Sequence, residues 1–209
     1  IALNEIRWTP FKKFAQTASY IPRFVSTVVV IAILNEFLSP SSGFLNMLLK
    51  SMGIEPIYFM NEKEWFRPVY IFSEAWQFTG WNAIIYLAAI TGINQDLYEA
   101  AEIDGASRWR RVLSVDLPAI MPTICILLIL RFGSIMSVGH EKVFLMQYSN
   151  NMSKSQVIST YVYRVGLSKA SNYSFGSAVG LMNSAINTSM VLFVNWVTNK
   201  LSDGEAGLF

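Results

Sequence analysis

Cysteine and histidine are almost missing from this 209-residue chain, which has one of each, Cys125 and His140. A single cysteine closes no disulfide within the chain and builds no cysteine-based metal site. A single histidine excludes a multi-histidine metal site and any enzyme that needs two imidazoles. Charge is scarce too. Asp, Glu, Lys and Arg make up 14% of the residues, well below the roughly 25% of soluble domains. The formal net charge of +2 is too small to suggest nucleic acid as a partner. No G-x-x-x-x-G-K-[ST] occurs, so ATP has no phosphate loop of that kind here, and no G-x-G-x-x-G opens a strand–helix–strand unit. Internal repeats, heptad arrays and low-complexity tracts are also missing. No catalytic residue and no metal ligand set is read from the chain.

What is present is apolar length, with 53% of the residues hydrophobic. Four stretches are read as membrane spans of an all-α, polytopic protein. The first, Phe24–Phe37, reaches the about 20 residues of a spanning helix only with Ile21–Arg23 and Leu38 added, Arg23 snorkelling to the interface. The others are Pro68–Ile93, Ala119–Val138 and Phe175–Val197. Between the first two, Phe44–Leu49 reads as a short interfacial helix ending at Gly53. Residues 1–209 are taken as one transmembrane domain. The chain opens at Ile1 without a signal peptide, and a fragment is expected.

Between the second and third spans lies the polar, basic stretch Glu99–Pro118, EAAEIDGASRWRRVLSVDLP. Arg108, Arg110 and Arg111 place it on the cytoplasmic side, because basic loops resist translocation. Arg7, Lys12, Lys13 and Arg23 argue the same for the N-terminal flank. Leu97–Ile103 is rich in helix formers. Gly105 suits a left-handed turn, and Ser107 suits the cap of a second helix with Trp109, Val112 and Leu113 on its apolar side. Leu117-Pro118 should then end the hairpin and start the next span. By parity the 139–174 loop lies outside. Its Lys142, Lys154, Arg164 and Lys169 against Glu141 strain the positive-inside rule.

The spacing Glu99-Ala100-Ala101, three residues, Gly105, nine residues, Val115, one residue, Leu117-Pro118 resembles the signature loop of the membrane subunits of binding-protein-dependent ABC importers. Val115 stands where that pattern has Ile. Gly80-Trp81-Asn82, Gly139-His140-Glu141-Lys142 and Thr160-Tyr161-Val162-Tyr163-Arg164 look like its complex-oligosaccharide branch, which includes importers of acidic sugars from pectin or alginate. The resemblance implies the type I permease fold, with about six spans in complete members, of which about two would precede this chain. It implies a bacterial plasma membrane location and four kinds of partner: a second, usually different permease chain, two cytoplasmic ATPase subunits that hold ATP and Mg, an external sugar-binding protein, and the bilayer. It also implies that residues 94–118 couple to the ATPase, through Glu99, Ala100, Ala101, Asp104, Gly105, Ala106, Arg108, Trp109, Arg111, Leu117 and Pro118.

Intramembrane polar residues mark a substrate path or a helix contact. Glu74, Gln77, Asn82, Arg131, Ser134, Asn183 and Asn187 are the candidates. Arg131, about halfway along its expected span, suits a uronate carboxylate. An ion pair with Glu74, or with helices that would precede this chain, is the equal alternative. Asn183 and Asn187 are divided between cavity and helix contact. The stripe Gly176, Gly180, Ser184, Thr188 favours close helix packing. A permease for another solute and an ion-gradient carrier are the rival readings. The carrier is weakened because Glu74 alone is a well-placed intramembrane carboxylate.

Overall fold

A computed structural model describes residue 6, residues 8–168 and residues 172–201. Arg7, Lys169 and the tail after Leu201 therefore lie outside the described residues. The described chain is helical, with no strand. It divides into two compact units. One combines residues 1–20, 80–136 and 183–209, and the other residues 21–79 and 137–182.

Two helices are long and apolar enough to cross a bilayer, Arg108–Phe132 and Tyr173–Lys200. A third crossing is available only if Thr9–Phe24 and Thr27–Phe37 act together across a bend of 103°. Among the described residues, two of the four expected spans, or three with the bent pair, meet that length and apolarity. Thr27–Phe37 has 11 residues, about 16 Å of helix, too short for a hydrocarbon core of about 30 Å. The extension through Ile21–Arg23 fails because Ile21–Phe24 is a separate 3-10 turn around buried Pro22. Ser26 then caps a new helix, its side chain accepting from Val29 N–H.

The expected Pro68–Ile93 span is a helix of 29 residues, Lys63–Thr91. Its length suffices, but its polar residues keep it below the apolarity of the other two. Those side chains are served inside the second unit. Glu74 pairs with Lys142, and the buried Gln77 amide donates to Val25 O at 3.0 Å. Around them lies a core of Ile31, Leu38, Phe59, Met60, Phe66, Val143 and Met146. Asn151, fully buried, fixes its edges by donating to Met60 O and Met146 O, both at 2.9 Å. Within the 139–174 loop the chain forms the short helices Met152–Ser155 and Ile158–Val162 and a π-helical stretch Tyr163–Ser168.

Leu117-Pro118 does not end the hairpin. One helix runs from Arg108 to Phe132. Proline has no N–H and its ring crowds the preceding turn, which normally breaks a helix. Here Val112–Asp116 is π-helical, with Leu117 N–H bonded to Val112 O. The wider turn passes the proline within the helix. Ser134 and Ile135 follow in turns, so the expected Ala119–Val138 span is shifted towards the N-terminus.

Candidate coupling hairpin and polar cavity

The hairpin is built from its own local chemistry. Asn94 caps Gln95–Ile103, its side chain accepting from Asp96 N–H at 3.1 Å. Gly105, at φ 68°, reverses the chain. Ser107 then caps the next helix, accepting from Arg110 N–H at 3.4 Å. Two side-chain links lock the arms together. Arg111 Nη1 meets Glu102 Oε1 at 2.6 Å, and Tyr98 Oη donates to Asp116 Oδ1 at 2.5 Å. Glu102, Tyr98 and Asp116 were not among the residues singled out from the sequence. A near-invisible spacing of nine or eighteen residues carries those links, and only the reversal at Gly105 brings them together.

The arrangement separates support from display. Asp116 and Val112 are buried, and Ala101, Ala106, Arg111 and Leu117 are half-buried. Glu99, Ala100, Asp104, Arg108 and Pro118 are exposed. Ile103 is 87% and Trp109 79% exposed, a large apolar display on a polar loop. Trp109 and Leu113 thus do not pack inward as the apolar side of their helix; Val112 does.

The polar candidates divide between places. Asn82, Arg131 and Ser134 line one cavity of about 450 Å³ with Ile85, Tyr86, Leu127 and Leu130. Arg131 lies in the last turn of its helix, not halfway, because the helix starts early and ends at Phe132. Its guanidinium makes no ion pair among the described residues, and the alternative partner Glu74 is taken by Lys142 at 2.8 Å. Asn187 Oδ1 accepts from Met136 N–H at 3.3 Å, a helix contact. Asn183 leaves a buried side-chain oxygen without a partner among the described residues. Glu74 and Gln77 belong to the other unit. Gly180, Ser184 and Thr188 of the small-residue stripe are exposed, and Gly176 is half-buried.

In the sequence Lys142 stands as a positive charge of the 139–174 loop and as the end of the Gly139-His140-Glu141-Lys142 run, with no partner named for it. It is buried, and so the loop's excess charge is largely answered in place: Lys142 by Glu74, and Lys154 by Glu64. The two glutamates stand 68 and 90 residues away in the chain, a distance no local pattern bridges.

A family described as "Binding-protein-dependent transport system inner membrane component" matches residues 7–203. Protein LplB of Bacillus subtilis (strain 168) is 40% identical over 209 residues, which are 100% of this chain and 65% of LplB. The polygalacturonan/rhamnogalacturonan transport system permease protein YteP of the same organism is 41% identical over 209 residues, 100% of this chain and 64% of YteP. The chain thus spans less than two thirds of the length of these two curated relatives. The crystal structure of a bacterial alginate ABC transporter in complex with alginate pentasaccharide-bound periplasmic protein contains a chain of the same permease fold. It matches at TM-score 0.93 and 40% identity, over 99% of this chain and 71% of that one.

Proposed function

We propose that this chain, which belongs to the family of binding-protein-dependent transport system inner membrane components, is a permease subunit of an ATP-driven importer of oligosaccharides, acidic ones of the pectin or alginate type. It forms half of the translocation path in a bacterial plasma membrane, beside a second, different permease chain. An external sugar-binding protein delivers the cargo. Two cytoplasmic ATPase subunits hold ATP and Mg and supply the energy, and this chain itself performs no catalysis. The polygalacturonan/rhamnogalacturonan transport of YteP and the alginate bound in the related transporter support the choice of acidic sugars.

The observation that carries the reading is the Glu99–Pro118 hairpin: rigid underneath, and apolar on its open side at Ile103 and Trp109. Such a surface docks in a cleft of an ATPase subunit, and closure of the ATPase pair moves it. Because Arg108–Phe132 is one continuous helix, it links Trp109 to Arg131. The cavity at Arg131 then changes its access from one side of the membrane to the other. There the guanidinium makes a bidentate contact with a uronate carboxylate, while Asn82 and Ser134 offer hydrogen bonds to hydroxyls.

Affinity purification of the tagged full-length chain in mild detergent, with mass spectrometry of what accompanies it, tests this reading. An ATPase and a second permease in stable proportion are expected. A transport-active preparation that holds the tagged chain alone would overturn it.

A further inference from the structure

We propose that Lys142 reads the carboxylate of an anionic sugar, and that Glu74 occupies the Lys142 ammonium until such a carboxylate displaces it. This rests on the importer reading above and deepens it by naming a selectivity device outside the Arg131 cavity. Lys142 Nζ lies 2.8 Å from Glu74 Oε2, yet the two partners are unequally covered: their side chains are 5% and 34% exposed. The pair is therefore open on the carboxylate side. An incoming group meets Glu74 first and finds the ammonium behind it.

Chemistry then selects the visitor. A buried ammonium is costly unless an anion answers it. Lys142 Nζ also lies 5.6 Å from the ring face of Tyr70, which is no substitute for a charge. Exchanging the Glu74 carboxylate for a uronate carboxylate keeps like for like, so the exchange costs little. A neutral sugar offers only hydroxyls and leaves the ammonium unanswered. Glu74 thus holds in place, within the chain, the functional group that the cargo brings. Gln77, three residues further along the same helix, leaves its buried Oε1 without a donor, and a sugar hydroxyl is a donor.

The test is uptake by cells that make the full-length chain with its partner subunits, comparing trigalacturonate with its fully methyl-esterified form. Immunoblots of the membrane fraction check that each variant accumulates like wild type. Lys142→Met is expected to raise KM for the charged trimer by roughly tenfold or more, and to leave the weak uptake of the ester unmoved. Lys142→Arg is expected to recover most of the loss. Glu74→Gln is expected to lower KM for the charged trimer, because the competitor is gone. A merely structural ion pair predicts the reverse for that variant. If both variants impair charged and esterified sugar alike, the inference falls while the importer reading stands. If the wild-type chain takes up no charged oligosaccharide, the acidic-sugar reading falls and this inference with it.

Discussion

Tyr98 and Asp116 are joined across the hairpin by a hydrogen bond of 2.5 Å, the hydroxyl donating to a buried carboxylate. Tyr98→Phe keeps the ring and removes the donor. A buried acceptor left short of a donor costs about 1–3 kcal/mol. The expected result is a lower thermal midpoint of the detergent-solubilised importer, with the ATPase subunits released more readily on heating.

Gly105 sits at φ 68° with open space around it. A substitution there meets no neighbour, so the penalty is conformational alone. The left-handed region costs an L-residue about 1–2 kcal/mol, asparagine less and a β-branched residue more. Gly105→Val should therefore uncouple ATP hydrolysis from uptake while the chain still inserts. Gly105→Asn should retain most activity. Assays of ATPase rate and uptake on the same vesicles separate the two.

Gly80 is limited by space instead. A Cβ there would lie 2.1 Å from Ser19 O, a backbone atom that cannot rotate aside. Gly80→Leu should destabilise the contact between the Thr9–Tyr20 helix and the segment after Gly80, by about 1–3 kcal/mol as for an overpacked core. Protease digestion in detergent should then release the N-terminal helix earlier than in wild type.

Arg131 lines its cavity beside Asn82 and Ser134 and without an ion pair among the described residues. Arg131→Gln keeps a hydrogen-bonding side chain and removes the charge. Uptake of a charged oligosaccharide should fall more than uptake of its neutral ester, by roughly tenfold for the loss of one charge-assisted contact. Equal losses would assign Arg131 to packing.

Glu64 accepts a hydrogen bond from Lys154, which, with the nearby Lys154 and Lys63 charges, holds its carboxyl below the ordinary value of 4.5. A carboxyl lowered in the folded state stabilises above its unfolded pKa, and that contribution is lost as pH falls through the folded value. Lys154→Met should remove most of this contribution, leaving only the share of the Lys63 charge. The difference in thermal midpoint between wild type and variant is expected to be small at pH 7, where the pair is solvent-exposed, and to vanish as pH falls through the lowered value of the folded state.

The parts of the hairpin that obey local rules were readable in advance. Gly105 turns left-handed and Ser107 caps, because each needs only its nearest residues. The helical class followed in the same way from apolar runs without strand signals. What escaped was long-range or geometric. The first expected span breaks at Pro22 and Ser26, since apolar length says nothing about a bend. Pro118 reads as a helix start in any local scheme, yet a π-turn carries the helix past it. Arg131 moved from the middle of its helix to the end for the same reason. The polarity of Lys63–Thr91 made sense only with Lys142 beside Glu74, a partner that periodicity cannot name.

The buried amide of Asn151 also sets an order in time. It bonds to Met60 O across 91 residues of chain, while its other acceptor, Met146 O, is only 5 residues away. During synthesis, Met60 leaves the ribosome long before Asn151 exists. The helices Lys63–Thr91 and Arg108–Phe132 must both emerge in the interval. The core around Ile31, Phe59 and Val143 therefore closes late, after those helices have met the bilayer. Until then its halves, separated by two long helices in the chain, have no partner to pack against.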